Sequence, residues 1–192
     1  MAGRIVFLLE EPSMKALLEG WLPRLFPGWV SGQDFLCIAH EGKSDLDRSI
    51  ARKLTAWQFP QDRFVIVRDT DGADCLAVKA RLLQLCGQAQ RSDTLVRLVC
   101  QELESWYLGD LAALEAAMQA RRIDTPANRK KFANPDGWQK PSEQVKRLAP
   151  AFQKISGARA MAAHLEPQRN RSHSLGVFVA GLQRLRKGFN QA

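Results

Sequence analysis

The chain has 192 residues, of which 45% are apolar and 25% charged, and a formal net charge of +8. This composition excludes disorder as the main state, and a chain of this length buries roughly 70% of its unfolded surface without help from disulfides or structural metals. No apolar run approaches the ~20 residues that span a bilayer, and no basic stretch precedes a signal-peptide core, so the expectation is a cytoplasmic protein with no membrane partner.

In chain order, the first apolar run is Ile5 to Leu9, followed by Met14, Leu17, Leu18, Trp21, Leu22 and Leu25 at helical spacing. A second run, Phe35 to Ala39, precedes Leu46, Ile50, Leu54 and Trp57, and a third, Phe64 to Val67, precedes Leu76, Val78, Leu82, Leu83 and Leu85. Leu95 to Cys100 is the fourth. The runs are continuously apolar rather than alternating, as in strands buried on both faces of a parallel sheet. The order strand-helix-strand therefore predicts an open α/β sheet with right-handed crossovers and helices on both faces. Pro12 and Gly87 mark helix ends consistent with these boundaries.

After the fourth strand, a helix is expected from Leu111 to about Arg121. Residues 122 to 142 carry Pro126, Pro135, Gly137 and Pro141 and read as a loop with short helical pieces. Helices around Ser142 to Ile155, Gly157 to Leu165 and Leu175 to Leu185 complete the chain. The expected organisation is an α/β core over residues 1–110 and a helical basic extension over 111–192, packed on that core. Cys37, Cys75, Cys86 and Cys100 form no Cys-x-x-Cys pair and read as reduced core residues.

Charge divides unevenly along the chain. Residues 1–110 hold 13 Lys/Arg against 15 Asp/Glu, a net of −2, whereas 111–192 hold 15 against 5, a net of +10. Such asymmetry suggests a polyanion partner, nucleic acid before anionic membrane, although it also serves solubility.

The acids of the first half gather at strand ends, where open α/β sheets place ligands. Glu10 and Glu11 end the first strand, Asp69, Asp71 and Asp74 follow the third, and Glu102 and Glu104 follow the fourth. Two like charges ~4 Å apart repel by about 4 kcal/mol at an effective dielectric near 20, so a cluster of this kind calls for a compensating cation. Hard oxygen ligands suit Mg²⁺ or Mn²⁺. In Asp69-x-Asp71, alternate residues at a strand end point the same way and could reach one ion together. Other roles are open for some of these residues. Glu11 before Pro12 suits a helix N-terminus, Asp74 suits an N-cap, and Glu102 and Glu104 suit turn positions.

A Glu at the end of strand one with Asp-x-Asp at the end of strand three resembles the Toprim fold of topoisomerases, primases and overcoming-lysogenization-defect nucleases. Leu9-Glu10-Glu11-Pro12-Ser13, Glu41 to Leu46, Arg68 to Cys75, Glu102 to Asp110 and Arg169 to Ser174 together resemble the bacterial domain-of-unknown-function 4276 family, which is Toprim-like. The resemblance implies Glu10 as the strand-one carboxylate, Asp69 and Asp71 as the metal pair, and Asp74 as a further acid. It further implies metal-dependent phosphodiester chemistry in phage defence, often with an ATPase partner. One departure stands out: many Toprim sequences have Gly after the first Glu, and this chain has Glu11.

The function expected is a Mg²⁺- or Mn²⁺-dependent nuclease with Glu10, Asp69 and Asp71 at the scissile phosphate and Lys43 as the nearby cation. Arg121, Arg122, Arg129, Lys130, Lys131, Lys140, Arg169, Arg171, Arg184, Arg186 and Lys187 would hold the backbone of nucleic acid, DNA ahead of RNA. Trp138 either stacks on a base or anchors its loop. The single tyrosine, Tyr107, lies in an apolar stretch and is expected to be packed, which argues against topoisomerase chemistry. The alternative is a non-catalytic subunit with a degenerate Toprim site that binds nucleic acid or an ATPase. A second copy of the chain is a further expected partner. A receiver-like or phosphatase-like phosphotransfer enzyme fits less well, because it would place Asp where Glu10 stands.

Overall fold

The computed structural model describes residues 3–189. Strands β1 (Ile5–Leu9), β2 (Phe35–Ala39), β3 (Arg63–Asp69) and β4 (Leu95–Val99) form one parallel sheet in the order β2-β1-β3-β4. They alternate with α1 (Pro12–Leu25), α2 (Lys43–Ala56) and α3 (Cys75–Gln88). Five of the six later helices are short: α4 (Glu104–Gly109), α5 (Leu111–Ala117), α6 (Pro126–Lys131), α7 (Pro141–Leu148) and α8 (Lys154–Ala162). A 3-10 turn lies at Pro135–Gly137, and α9 (His173–Phe189) closes the described chain.

The apolar runs form strands because both faces of the sheet are covered. No residue of β1 is more than 3% exposed. On one face Val6, Leu8, Phe64 and Ile66 meet Leu46, Ile50 and Leu54 of α2 and Leu82 and Cys86 of α3. On the other, Phe7, Leu9, Val65 and Val67 meet α1 together with the helices of the second half. This side is the larger, and its centre is aromatic. The Trp106 and Phe178 rings lie 5.1 Å apart, and Trp21 stacks on Phe178 at 6.3 Å. Both indoles are satisfied by distant partners, Trp21 Nε1 donating to the Leu165 carbonyl at 3.0 Å and Trp106 Nε1 to Ser174 Oγ at 3.0 Å.

Several boundaries differ from expectation for local reasons. The helix expected from Ser142 to Ile155 stops at Leu148, because Pro150 cannot continue it and restricts Ala149 before it. The next helix begins at Lys154 and carries Gly157 inside it, where the Phe152 ring would lie 2.3 Å from a Cβ. Lys43, the cation expected near the phosphate, is the first residue of α2. Gly42 before it adopts φ +100 and donates its N–H to the Glu10 carbonyl at 2.9 Å. Of the cysteines, Cys37 and Cys86 are buried as expected, whereas Cys75 is exposed and Cys100 half-buried, since α3 begins at the rim of the sheet. Trp138 is partly buried on the core, 5.2 Å from the Phe132 ring.

Gly109, at the end of α4, sits against the chain before α9. A Cβ there would lie 2.2 Å from Asn170 Oδ1 and 3.0 Å from the Ser172 amide nitrogen. Gly109→Ala is therefore expected to destabilise the fold by about 1–3 kcal/mol, seen as a lower urea midpoint at unchanged m-value.

Candidate active site

The site begins with the pairing of β1 and β3. Leu9 lies beside Val67, so the chain leaving β1 runs along the last residues of β3. Glu10 N–H donates to the Val67 carbonyl at 3.2 Å, and the Glu10 carboxylate Oε2 accepts the Asp69 N–H at 2.9 Å. Two acids 59 positions apart thus share one buried corner, Glu10 at 8% and Asp69 at 5% exposure.

Asp69 is the last residue of its strand, and the expected alternation stops there. Asp71 adopts φ +49 and Gly72 φ +79, a left-handed turn for which Asp-Gly is well suited. Its amide donates to the Gln101 carbonyl at 3.0 Å, and its Oδ2 pairs with Lys43 Nζ at 3.0 Å. The turn places Asp71 beside the start of α2. Asp74 takes the capping role open to it in the sequence, accepting the Ala77 N–H on Oδ1 at 2.7 Å to start α3.

Glu11 starts α1 in an extended conformation, φ −144 and ψ 162, which any residue adopts, so the missing glycine imposes no backbone strain. Its carboxylate accepts from Ser13 Oγ at 2.5 Å and pairs with Lys154 Nζ at 3.1 Å. Glu102 accepts the Ser142 N–H at 2.7 Å and so satisfies the start of α7. Glu104, at 1% exposure, is buried beside Tyr107, whose ring is fully packed as expected.

These groups repel one another inside a poorly solvated corner. Burial pushes Glu10 up to about 7, with Asp71 and Glu11 adding to the rise and the Asp69 amide and Arg68 opposing it. Burial, then the charges of Glu10, Glu11, Glu104 and Asp71, hold Asp69 well above the usual carboxylate range. Burial also pushes Glu104 up to about 7 against the pull of Lys154. Lys154 itself loses solvation, yet Glu104 and Glu11 raise its pKa overall. The structure therefore brings together Glu10, Glu11, Asp69, Asp71 and Glu104 with Lys43 and Lys154, and turns Asp74 and Glu102 to helix starts.

Whether a divalent cation suits this corner is judged from its unsatisfied atoms. Asp69 Oδ1 and Glu104 Oε2 are buried without a hydrogen-bond partner, as is the Tyr107 hydroxyl. Orphaned carboxylate oxygens with raised pKa values are the donor chemistry a hard cation requires. Among the described residues no three His, Cys, Asp or Glu side chains already converge as a ligand set. The donors fit; their final convergence is not assembled here.

Lys154 was invisible to sequence reading, since it stands 143 positions from Glu11 with no motif around it. Tyr107 was read as packing alone. Its position near acids follows only from the turn of α4 after β4. The basic residues assigned to nucleic acid fall into different settings. Lys130 and Lys140 are exposed, the latter pairing with Glu143 at 3.0 Å, while Lys131 lies over the Phe132 and Trp138 rings. Arg129 and Arg169 pair with Asp124 and Asp110, and Arg171 reaches the Arg129 carbonyl.

The sequence matches the model of a family described as Domain of unknown function (DUF4276) over residues 9–183, a range that holds every acid of this corner. The chain belongs to the DUF4276 family. No curated protein matches it. The fold of this DUF4276 chain is that of the C-terminal region of the Burkholderia pseudomallei OLD protein, at TM-score 0.54 and 16% identity, with 97% of this chain and 98% of that one covered. The C-terminal region of the Xanthomonas campestris pv. campestris OLD protein aligns at TM-score 0.52 and 15% identity, with 98% and 97% covered. The Toprim-like α/β class read from the strand-end acids is thus the class found.

Two outcomes follow for the metal-free DUF4276 protein. Glu10 and Glu104 titrate near 7 when folded and near the ordinary 4.5 when unfolded, so the folded state binds more protons between those values. Stability in chelator is therefore expected to fall as pH rises from about 5 to 7, measured by urea unfolding at each pH. Asp69→Asn removes a buried charge at nearly constant shape. It is expected to raise the thermal midpoint in chelator at pH 8, by about 2–4 °C per kcal/mol of repulsion relieved.

Proposed function

We propose that this chain is a Toprim-like phosphodiesterase acting on nucleic acid, with Mg²⁺ or Mn²⁺ held by Glu10, Asp69 and Asp71 and with Glu104 as a neighbouring acid. The observation that carries this reading is the Glu10 carboxylate seated on the Asp69 amide at 2.9 Å, with both acids buried and burial raising the pKa of each. Acids in that state gain most from a bound cation, because the ion compensates the charge that burial, and after it the neighbouring carboxylates, penalise. Such an ion, when bound, supplies polarisation of a phosphoryl oxygen and acidification of a water.

The chain's own groups supply the rest. Glu10 is either a ligand of that ion or, left unligated, a general base, since its pKa of about 7 lets it change protonation at neutral pH. Lys43, half exposed on Asp71, offers its ammonium to a phosphate oxygen at the open side of the corner. Lys154 holds Glu11 and offsets the charge of Glu104. The basic second half, with exposed Lys130 and Lys140, would hold the nucleic-acid backbone, DNA before RNA. An ATPase partner and a place in phage defence are carried into this proposal from the motif resemblance to overcoming-lysogenization-defect nucleases.

A second reading, a subunit that binds nucleic acid or an ATPase without cleaving, is favoured by one observation. Lys43 and Lys154 already neutralise Asp71 and Glu11, and no ligand set is assembled among the described residues.

Purified protein, with and without an ATPase encoded beside it, separates the two when incubated with nucleic acid and Mn²⁺ or Mg²⁺. The enzyme reading expects cleavage that Glu10→Gln or Asp69→Asn lowers by about 10²–10⁴-fold while binding is retained. No cleavage under any of these conditions overturns it. Binding itself is expected to weaken by about 10³-fold or more between 50 and 200 mM salt if six or more phosphates are contacted.

A further inference from the structure

Away from the acidic corner, where α4 passes into α5, a cavity of about 290 Å³ opens among Asp110, Asp124, Phe132 and the guanidinium groups of Arg129, Arg169 and Arg171. Its walls come from three separate segments that are fastened to one another. Asn170, between two of the arginines, donates Nδ2 to the Trp106 carbonyl at 2.7 Å and accepts the Ser172 amide at 2.8 Å. The Arg171 amide donates to the Gly109 carbonyl at 3.0 Å. Because Gly109 leaves no room for a Cβ beside Asn170, the Arg-Asn-Arg segment lies directly on the end of α4.

The arginine side chains are fixed in turn. Arg169 donates Nε to the buried Asp110 at 2.7 Å and Nη2 to the His164 carbonyl at 2.8 Å. Arg171 donates Nη1 to the Arg129 carbonyl at 2.5 Å, tying the segment to α6. Arg129 forks onto Asp124 at 2.6 and 2.5 Å. Hydrogen bonds from Arg129, against the opposing effect of burial, then the charges of Arg129, Arg169 and Arg171, hold Asp124 below the usual carboxylate range. All three arginines therefore line one cavity with their side chains held in place.

The charge of the cavity is unbalanced toward an anion. Three guanidinium groups face two carboxylates, and Arg171 has no carboxylate partner among the described residues. A guanidinium carries five N–H donors, and the contacts above leave each arginine with at least three unspent. Pre-positioned arginine forks match the oxygens of phosphate as they do those of carboxylate, and three of them suit the higher charge of a phosphate monoester. The cavity is at the small end of ligand-pocket sizes, suited to a single end group rather than to a strand running through.

We propose that this cavity binds a phosphate monoester, the terminal phosphate of a nucleic-acid strand or that of a free nucleotide. The proposal rests on the nucleic-acid reading only for the source of the phosphate, since the site itself stands on the three guanidinium groups. It gives a role to the Arg169-Asn170-Arg171 motif, which the acidic corner leaves unused.

Single-stranded oligonucleotides of one sequence with a 5′-phosphate, a 3′-phosphate or neither end phosphorylated, together with a nucleoside monophosphate and inorganic phosphate, are titrated calorimetrically into the full chain without divalent cations. A phosphorylated end is expected to bind about tenfold tighter than the bare oligonucleotide. Arg171→Gln is expected to abolish that preference with at most a small drop in thermal midpoint, because Arg171 forms no ion pair among the described residues and its side chain spends one hydrogen bond, to the Arg129 carbonyl. Should this variant fold poorly, Arg171→Lys keeps the charge, loses the fork, and is expected to weaken the preference. Nucleoside monophosphate or inorganic phosphate bound in an Arg171-dependent way, without oligonucleotide preference, assigns the site to free ligands. Equal affinity for all oligonucleotides and no binding of either small phosphate overturns the proposal. Asp71→Asn is expected to lose cleavage and keep the end preference, whereas unsubstituted protein that shows the end preference but cleaves nothing fails the hydrolytic reading alone.

Discussion

Parallel pairing between β1 and β3 determines where charge accumulates in this molecule. The two strands are neighbours although a strand and two helices separate them in sequence, so the chain leaving β1 meets the chain leaving β3 at the same rim. The Glu10 carboxylate accepts the Asp69 amide because that amide lies at the strand end, with a neighbouring chain in reach. One hydrogen bond is a small return for burying two acids that repel, since a net hydrogen bond to a charged group contributes about 1.5–3 kcal/mol. The arrangement is strained by charge, and sites carrying chemistry are where such strain is commonly kept.

The second half of the chain completes that rim rather than standing beside it. Lys154, at the start of α8, reaches Glu11, and the start of α7 is satisfied by Glu102. The helices that supply these contacts share the larger apolar layer with α1 and the sheet. A site of opposed charges therefore draws its acids from the first half and part of its cations from the second. This physical division parallels the uneven distribution of Lys/Arg and Asp/Glu along the sequence.

Much of the fold was legible in the sequence because burial on both faces leaves continuous Val, Ile, Leu and Phe runs. The corner was legible in part, since Glu10 and Asp69 stand directly after such runs, and strand ends are where open sheets gather ligands. Asp71 was legible as a residue but not as a conformation. The pleat ends one residue earlier, and a left-handed turn with Gly72 sends Asp71 toward Lys43. Lys154 and the depth of Glu104 were not legible, as both depend on how α4 and α8 pack, and no local pattern encodes contacts spanning more than a hundred positions. The break between α7 and α8 is signalled by Pro150, which the helix expected over 142–155 runs through.

The bond from Trp21 to the Leu165 carbonyl joins the first helix made to the segment that follows α8. Until residue 165 leaves the ribosome, the inner face of α1 has no lid, an interval on the order of ten seconds at ordinary elongation speeds. Nascent chains of this protein thus carry an uncovered aromatic surface for most of their synthesis. Premature termination before α8 would leave a sticky fragment for chaperones and proteases, not a smaller folded protein.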